Sequence, residues 1–408
     1  MFGSIDATTQ RIAILDSMRG FALCGIIFAN LVSFTGFYSL SFAEIKALPW
    51  LDRGVLFAID FLVEGKFYSV FATLLGAGFW LQYRRFRRDR RDFSIFWLRR
   101  MAVLFVIGIT HMYFVWHGDI LTLYSLLGVC LLLFVRVKDR VLLPCIGLFL
   151  FFPLLIHALL MATHGHAFWS SVGGFVYNLK SALGYQGVTL LALRAEGSAI
   201  DVFWGNILSA IPRPMSYLKT GRPFQVFGQF LLGVYLARVY LQGKAPIPGK
   251  RQIVMLLLAG SVLNLIYAYI KYLTGSPFGV DELGLFQGVV YHFGCTLMAF
   301  GYMALLYRLS HRGVRFENLA RLGRMALTMY LMQSILCVLV FYAYGLAWMG
   351  KVPFYSVALF GTVILSIQFM FARFWLGRFQ FGPMEYLWRR LSYHARPGRN
   401  TETESRTA

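Results

Sequence analysis

In the stretch "RIAILDSMRGFALCGIIFANLVSF", Arg11 to Phe34, three polar side chains interrupt an apolar run long enough to cross a bilayer. At about 100° per residue, Arg19 and Asn30 lie about 20° apart around a helix and Asp16 about 60° from Arg19, so all three share one face. Asn30 sits about 16 Å beyond Arg19 along the axis, near the middle of a bilayer. Polar groups at that depth face a bundle interior or a water-filled cavity, which makes Asp16, Arg19 and Asn30 candidates for substrate contact. A second reading has Asp16 and Arg19 as an i,i+3 pair and Asn30 as a hydrogen-bonding link between helices.

Three further groups carry chemistry. In "AIDFLVEGKFYSVFATLLGAGFW", Asp60, Glu64 and Tyr68 are spaced i, i+4, i+8 and stack on one face of a continuous helix. Burial raises a carboxylate's pKa, so Glu64 is a candidate general base and Tyr68 a substrate contact, unless Glu64 pairs with Lys66 or a basic residue of a neighbouring helix. Gly76 and Gly78 lack a glycine-rich loop and read as positions of close helix approach. In "HMYFVWHGDILTLY", His111 to Tyr124, His117 and Asp119 flank a glycine, so that one can orient the other or share a proton with it. Both are catalytic candidates and Tyr124 a contact candidate, although Asp119 also suits the N-terminus of the next helix as a cap. His111 falls within the membrane and suits a buried polar contact. In "GRMALTMYLMQS", Gly323 to Ser334, Arg324, Thr328, Tyr330, Gln333 and Ser334 recur at helical spacings. Arg324 and Gln333 are contact candidates, with a positive-inside anchor as the other reading of Arg324.

The elements that must position these groups are set by composition. The 408 residues are 58% hydrophobic and only 14% charged, against about half apolar and a quarter charged in a soluble domain. A bilayer core of about 30 Å needs roughly 20 apolar residues per helical crossing. Ten such runs are found: Ile14 to Tyr38, Phe61 to Tyr83, Ile95 to Trp116, Asp119 to Val135, Val141 to Thr163, Phe224 to Leu241, Ile253 to Leu273, Leu285 to Tyr307, Met325 to Leu346 and Phe354 to Trp375. The sequence therefore predicts an all-α, polytopic membrane bundle of about ten transmembrane helices. The first run is too long for a cleaved signal peptide and is expected to remain in the mature protein.

Lys and Arg placement orients the bundle. With "RRFRRDRRDF" (84 to 93) inside, "RVKDR" (136 to 140), "GKAPIPGKR" (243 to 251), "RLSHRGVRFENLARLGR" (308 to 324) and the tail from Arg389 also fall inside, and both termini are cytoplasmic. The net charge of +21 then follows from basic loops against anionic headgroups, each basic residue contributing about 1 kcal/mol. The partner so implied is the bilayer and not nucleic acid; the sharper alternative is an anionic cytoplasmic substrate held by the arginines between 84 and 100. Cys24, Cys130, Cys145, Cys295 and Cys337 show no metal-site spacing and read as packing residues. The chain divides into a five-helix half (1–163), a long extracytoplasmic loop (164–222), a second five-helix half (223–395) and a disordered tail (396–408), without an internal repeat. Within the loop, Ala199 to Ile211 predicts a short interfacial helix ended by Pro212 and Pro214.

The blocks "LDSMRGFALCGI", "EGKFYSVFATLLGAGF", "HGDILTLYSLLG", "GRMALTMYLMQS" and "GPMEYLWRRLSY" (382 to 393) resemble, in order, those of the YeiB family of bacterial inner-membrane proteins. More distantly, the opening block is similar to that of the transmembrane acyltransferase superfamily, which includes heparan-α-glucosaminide N-acetyltransferase. The resemblance implies an inner-membrane protein that passes an acyl group, often from cytoplasmic acyl-CoA, to an acceptor on the far side. Arg19 followed after ten residues by Asn30 resembles the superfamily's Arg-x10-His or Arg-x10-Asn signature and implies a place on an acyl-CoA channel. Relatives with Asn take the catalytic histidine from the segment that follows, but this chain has no histidine between Asn30 and His111. Glu64, or His117 with Asp119, is left as the base. Two other classes fit the same polar stripe: a small-molecule transporter and a non-catalytic membrane partner.

Overall fold

The computed structural model describes residues 3–88, 92–163, 166–241, 247–275 and 281–392. The tail expected to be disordered lies outside them, as do parts of the loops 84–93, 243–251 and 275–284. Every regular element among the described residues is helical. The first half contains α1 (Gly3–Phe34), α2 (Phe42–Ala47), α3 (Trp50–Leu62), α4 (Lys66–Arg88), α5 (Phe93–Phe114), α6 (Leu121–Cys130) and α7 (Asp139–Ala162). Four helices follow: α8 (His166–Ala182), α9 (Leu190–Ala195), α10 (Ala199–Ala210) and α11 (Arg213–Thr220), in the segment expected as a long loop. The second half contains α12 (Arg222–Leu241), α13 (Lys250–Thr274), α14 (Glu282–His311), α15 (Glu317–Arg324), α16 (Ala326–Phe341), α17 (Ser356–Leu376) and α18 (Pro383–Ser392).

Helices occupy all ten expected segments, but fewer than ten meet the requirements of a crossing by length and apolarity. Six do so: Ala13–Phe34 of α1, and α5, α7, α13, α14 and α17; α15 and α16 make a seventh if their 83° bend is taken as one broken span. The apolar stretch Leu121–Phe134 is shorter. For α4 and α12 the reason is chemical. They pack against each other inside the bundle, where their polar residues find protein partners. Gln229 Nε2 donates to Ser69 Oγ at 2.7 Å, the Tyr68 hydroxyl donates to Gln225 Oε1 at 2.9 Å, and Arg238 pairs with Asp139 at 2.8 Å. A helix surrounded by other helices need not be uniformly apolar.

Small residues set the tightest contacts, because lipid supplies no hydrophobic drive between helices and close van der Waals packing must replace it. A Cβ on Gly76 would collide with the Phe230 carbonyl, and one on Gly233 with the Thr73 carbonyl, so α4 and α12 touch backbone to backbone. Gly20 and Gly323 stand in the same relation between α1 and α15. The two halves thereby interleave. An aromatic core formed by Phe79, Phe93, Trp97, Tyr124 and Phe230 joins α4, α5, α6 and α12. On the opposite surface, Leu159, Val262 and Met370 are 60%, 56% and 73% exposed, the apolar exterior that a lipid solvent permits.

Two breaks alter the sequence reading. Asp60 and Tyr68 do not share a helix: α3 ends at Leu62, and α4 starts at Lys66 after a turn in which Gly65 has φ +86. That left-handed conformation suits glycine alone, and a Cβ there would also strike Cys295 Sγ and the Tyr291 hydroxyl. The second break, at Met325, separates Arg324 from Thr328. The N–H groups freed at the start of α16 are taken by Glu385 of α18, whose Oε1 accepts from Leu327 N at 2.6 Å and Thr328 N at 3.0 Å, while Oε2 accepts from Thr328 Oγ1 at 2.5 Å. A carboxylate at a helix N-terminus satisfies orphan donors and meets the helix dipole.

Candidate functional site

A chamber of about 700 Å³ runs along α1 and is lined from Asp16 and Arg19 through Leu23, Ile26 and Asn30 to Ser33. Asp16 and Ser33 are 17 residues apart in one helix, about 26 Å at 1.5 Å per residue, close to the thickness of a bilayer core. The chamber has three chemically distinct parts. One end is basic and the middle is apolar, walled by Leu23, Ile26, Phe67, Phe71, Leu75 and Leu104. The other end is mixed: Glu64, Tyr68, His117, Tyr124, Arg213 and Arg222.

At the basic end Arg19 NH1 donates to Asp16 Oδ1 at 2.7 Å, the i,i+3 pair expected from the spacing. Arg19 also lies against α4 at Gly78, where a Cβ would stand 3.2 Å from its guanidinium. Arg100, Arg324, Gln82 and Gln380 complete this end with Trp388. The Trp388 indole donates to the Arg100 carbonyl at 2.8 Å and its ring lies 3.5 Å from the Arg100 guanidinium carbon, which holds α18 across the opening. Arg324 donates to the Gln380 carbonyl at 3.1 Å.

At the mixed end the turn between α5 and α6 is built around Asp119. Its Oδ2 accepts from Thr122 N and Thr122 Oγ1, both at 2.8 Å, which is the capping role anticipated for it. Its Oδ1 lies 3.0 Å from Nδ1 of His111, not of His117, so the expected His117 and Asp119 pair is replaced by a buried His111 and Asp119 pair. The reason is the turn itself: α5 ends at Phe114, and a full helical turn brings His111 back over the cap while His117 is turned into the chamber. Arg213 of α11 clamps this turn, donating to the carbonyls of His117 at 2.6 Å and Asp119 at 2.9 Å and to the Tyr217 hydroxyl. Burial, followed by the guanidiniums of Arg194 and Arg213, holds the His117 imidazole well below the ordinary histidine value, so it is neutral near pH 7. A neutral imidazole can accept a proton.

Glu64, in the turn before α4, accepts from Lys271 of α13 at 3.1 Å, and the same ammonium reaches Asp60 at 2.7 Å. The neighbouring-helix pairing is thus the one formed; Lys66 instead donates to the Asp60 carbonyl at 2.7 Å. The Tyr124 hydroxyl donates to the Tyr68 carbonyl at 3.1 Å, fixing α6 on α4.

Of the residues singled out by sequence, Asp16, Arg19, Asn30, Glu64, Tyr68, His117, Tyr124 and Arg324 line this one chamber. Asp119 is buried behind its wall. Gln333 lies outside the lining as well: its amide donates to the Leu23 carbonyl at 3.2 Å and to Gln368 Oε1 at 3.0 Å, linking α16 to α1 and α17. Arg100 falls among the arginines at 84 to 100 that the sequence offered for an anionic cytoplasmic substrate, whereas Arg213, Arg222, Lys271 and Glu385 were passed over as site residues. The signal for Arg213 and Arg222 was their basic charge in a loop that should be poor in it; Glu385 stands within a recognisable block but has no motif of its own.

A family model described as "Protein of unknown function (DUF418)" matches residues 220–395. The chain is similar to the "Uncharacterized protein YxaH" of Bacillus subtilis (strain 168), 31% identical over 398 residues and 95% of each chain. It is 27% identical over 401 residues, again 95% of each, to the "Uncharacterized 39.9 kDa protein in amylase 3'region" of Bacillus acidopullulyticus. With the "Uncharacterized protein YeiB" of Escherichia coli (strain K12) the identity is 28% over 416 residues, 95% of this chain and 97% of that one. No solved structure matches.

Proposed function

The chain belongs to the family that includes YxaH and YeiB, and from that premise we propose that it is a bacterial inner-membrane acyltransferase, passing an acyl group from cytoplasmic acyl-CoA to an acceptor on the far side. The observation that carries the reading is the continuity of the chamber, basic at one end, apolar along the middle and furnished with a neutral imidazole at the other. In this reading all ten predicted segments cross the bilayer, both termini are cytoplasmic, and α8 to α11 form the extracytoplasmic segment. The Arg19 end then faces the cytoplasm, in keeping with the basic side chains gathered there.

Arg19, Arg100 and Arg324 meet the phosphates of the donor, for which guanidinium geometry is suited. The thioester arm lies along Leu23, Ile26, Phe71 and Leu75 and brings the acyl carbon past Asn30 toward His117. There the imidazole takes the proton of an acceptor hydroxyl or amine as that group attacks the thioester carbonyl. The carbon–sulfur bond breaks, the proton passes to the departing thiolate, and CoA leaves as the free thiol. Asn30 places an amide donor where charge develops on the carbonyl oxygen. Asp119 acts at one remove, by fixing the turn that carries His117. Glu64 is the weaker candidate for the base, since Lys271 holds its charge.

Purified protein in nanodiscs, given radiolabelled acetyl-CoA and an extracytoplasmic acceptor preparation, is expected to release CoA and transfer the label. Movement of a solute into proteoliposomes with the thioester intact overturns this reading in favour of a transporter. Absence of both activities, with no acetyl-CoA binding, favours a non-catalytic partner.

A further inference from the structure

We infer that the acceptor carries a fixed negative charge, a phosphate ester or a carboxylate, a few atoms from the hydroxyl or amine that is acylated. The inference rests on the acyl-transfer reading and adds the chemical class of the second substrate.

Arg222 carries it. Its side chain lines the mixed end of the chamber, with the guanidinium carbon 5.3 Å from the centre of the Tyr68 ring and 5.8 Å from that of Tyr217. These ring faces position a cation without neutralising it. Among the described residues no carboxylate forms an ion pair with Arg222. The acids nearby are already engaged: Asp60 and Glu64 by Lys271, and Asp119 by His111 and Thr122. Of the charged side chains that line this end of the chamber, Arg213 and Arg222 stand with Glu64 alone, and Lys271 already pairs with that carboxylate.

A cation left over at membrane depth is costly unless an anion meets it. The donor's phosphates do not provide one: they are held at Arg19, beside Gly78 of α4, whereas Arg222 lies on the ring of Tyr68, ten residues and about 15 Å away along that helix. A neutral polyol would leave Arg222 unmet and a cationic acceptor would be repelled. A phosphate ester or carboxylate satisfies the guanidinium fork, and Arg213, rigidly held beside it, adds to the same field. An acceptor anchored there presents its nucleophile to His117 on the same wall.

The test uses the full chain in phosphatidylcholine nanodiscs with three soluble probes of matched skeleton, glycerol, glycerate and glycerol 1-phosphate, and a separate preparation containing phosphatidylglycerol. Binding is read without any thioester, by thermal shift and calorimetry, so that it stands or falls separately from acyl transfer. Glycerate or glycerol 1-phosphate is expected to bind at least tenfold tighter than glycerol, with the preference weakening as salt rises; a response confined to phosphatidylglycerol supports the same inference with a lipid-borne anion. Arg222→Gln should abolish the preference, and Arg222→Lys should retain part of it, which covers the case in which the glutamine variant folds poorly. Equal binding of glycerol and the anions, or a preference that survives in folded Arg222→Gln, overturns the inference. Anion binding here, together with no CoA release in the separate acetyl-CoA assay, counts against acyl transfer and leaves the anion site standing.

Discussion

Gly76→Ala should destabilise the protein although alanine is the better helix former. In a helix interior the exchange gains about 0.5–1 kcal/mol. Against that gain, the new Cβ would collide with the Phe230 carbonyl oxygen and stand 2.7 Å from its carbon and 2.9 Å from its Cα. Those atoms belong to the backbone of α12 and cannot rotate away as a side chain would, so α4 and α12 must separate. Forced overpacking costs about 1–3 kcal/mol, which leaves a net loss of up to about 2.5 kcal/mol, centred near 1 kcal/mol. Gly147→Ala in α7 is the matched control: nothing lies within 4 Å of its Cβ, so only the propensity gain of about 0.5–1 kcal/mol applies. Unfolding of the two variants in identical detergent, followed by circular dichroism, should shift in opposite directions from the parent. Gly233→Ala, whose Cβ would meet the Thr73 carbonyl, should add less than its single-variant cost to Gly76→Ala, since the helices have already parted. If Gly76→Ala were as stable as Gly147→Ala, the backbone contact between α4 and α12, and with it the placement of the chamber wall at Phe71 and Leu75, would be wrong.

His117→Ala should lower CoA release by about 10²–10⁴-fold, the span of general-base catalysis, with acetyl-CoA affinity unchanged; a loss of less than tenfold would remove His117 from the base's role. Because burial and two guanidiniums depress its titration, the acid limb of the rate profile should fall below the ordinary histidine value of about 6.5, and a limb at or above that value counts against the neutral imidazole. Asn30→Leu should leave thermal stability nearly unchanged while weakening acetyl-CoA binding, as befits a chamber wall; a loss of about 1–2 kcal/mol in stability with binding intact would make Asn30 a link between helices instead. In a cysteine-free background, a thiol reporter at Gly174, where a side chain meets nothing within 4 Å, should react with a membrane-impermeant reagent from outside whereas one at Arg85 should not. The reverse pattern inverts the proposed topology.

Much of the fold was legible because a lipid solvent makes composition local. Each long helix declares itself as an apolar run, whatever its neighbours, and helices occupy all ten segments so identified. The criterion fails for α4 and α12, where Gln229 meets Ser69 and Gln225 meets Tyr68: a helix shielded by others answers to its partners, which a linear pattern does not contain. The site follows the same division. The spacing of Asp16, Arg19 and Asn30 within one unbroken helix put them on a common face, and a common wall is where they are. Periodicity misled where the helix broke, at Gly65 and Met325, since a spacing of three or four residues has meaning only along continuous helical backbone.

By itself, then, the sequence determined an all-helical protein with membrane-length apolar helices, the polar stripe of α1 and Gly76 as a position of close helix approach, whereas Gly78 meets only the Arg19 side chain and the backbone contacts at Gly20, Gly233 and Gly323 emerged from the structure. Only the tertiary structure decided that His111 and not His117 takes Asp119, that Lys271 answers Glu64, that Gln333 bonds to Gln368 while Arg222 enters the chamber, and that Glu385 caps α16 from 58 residues away. Each of these is a match between a buried polar group and a distant partner, and the energy that selects it depends on distance in space, which chain order does not encode.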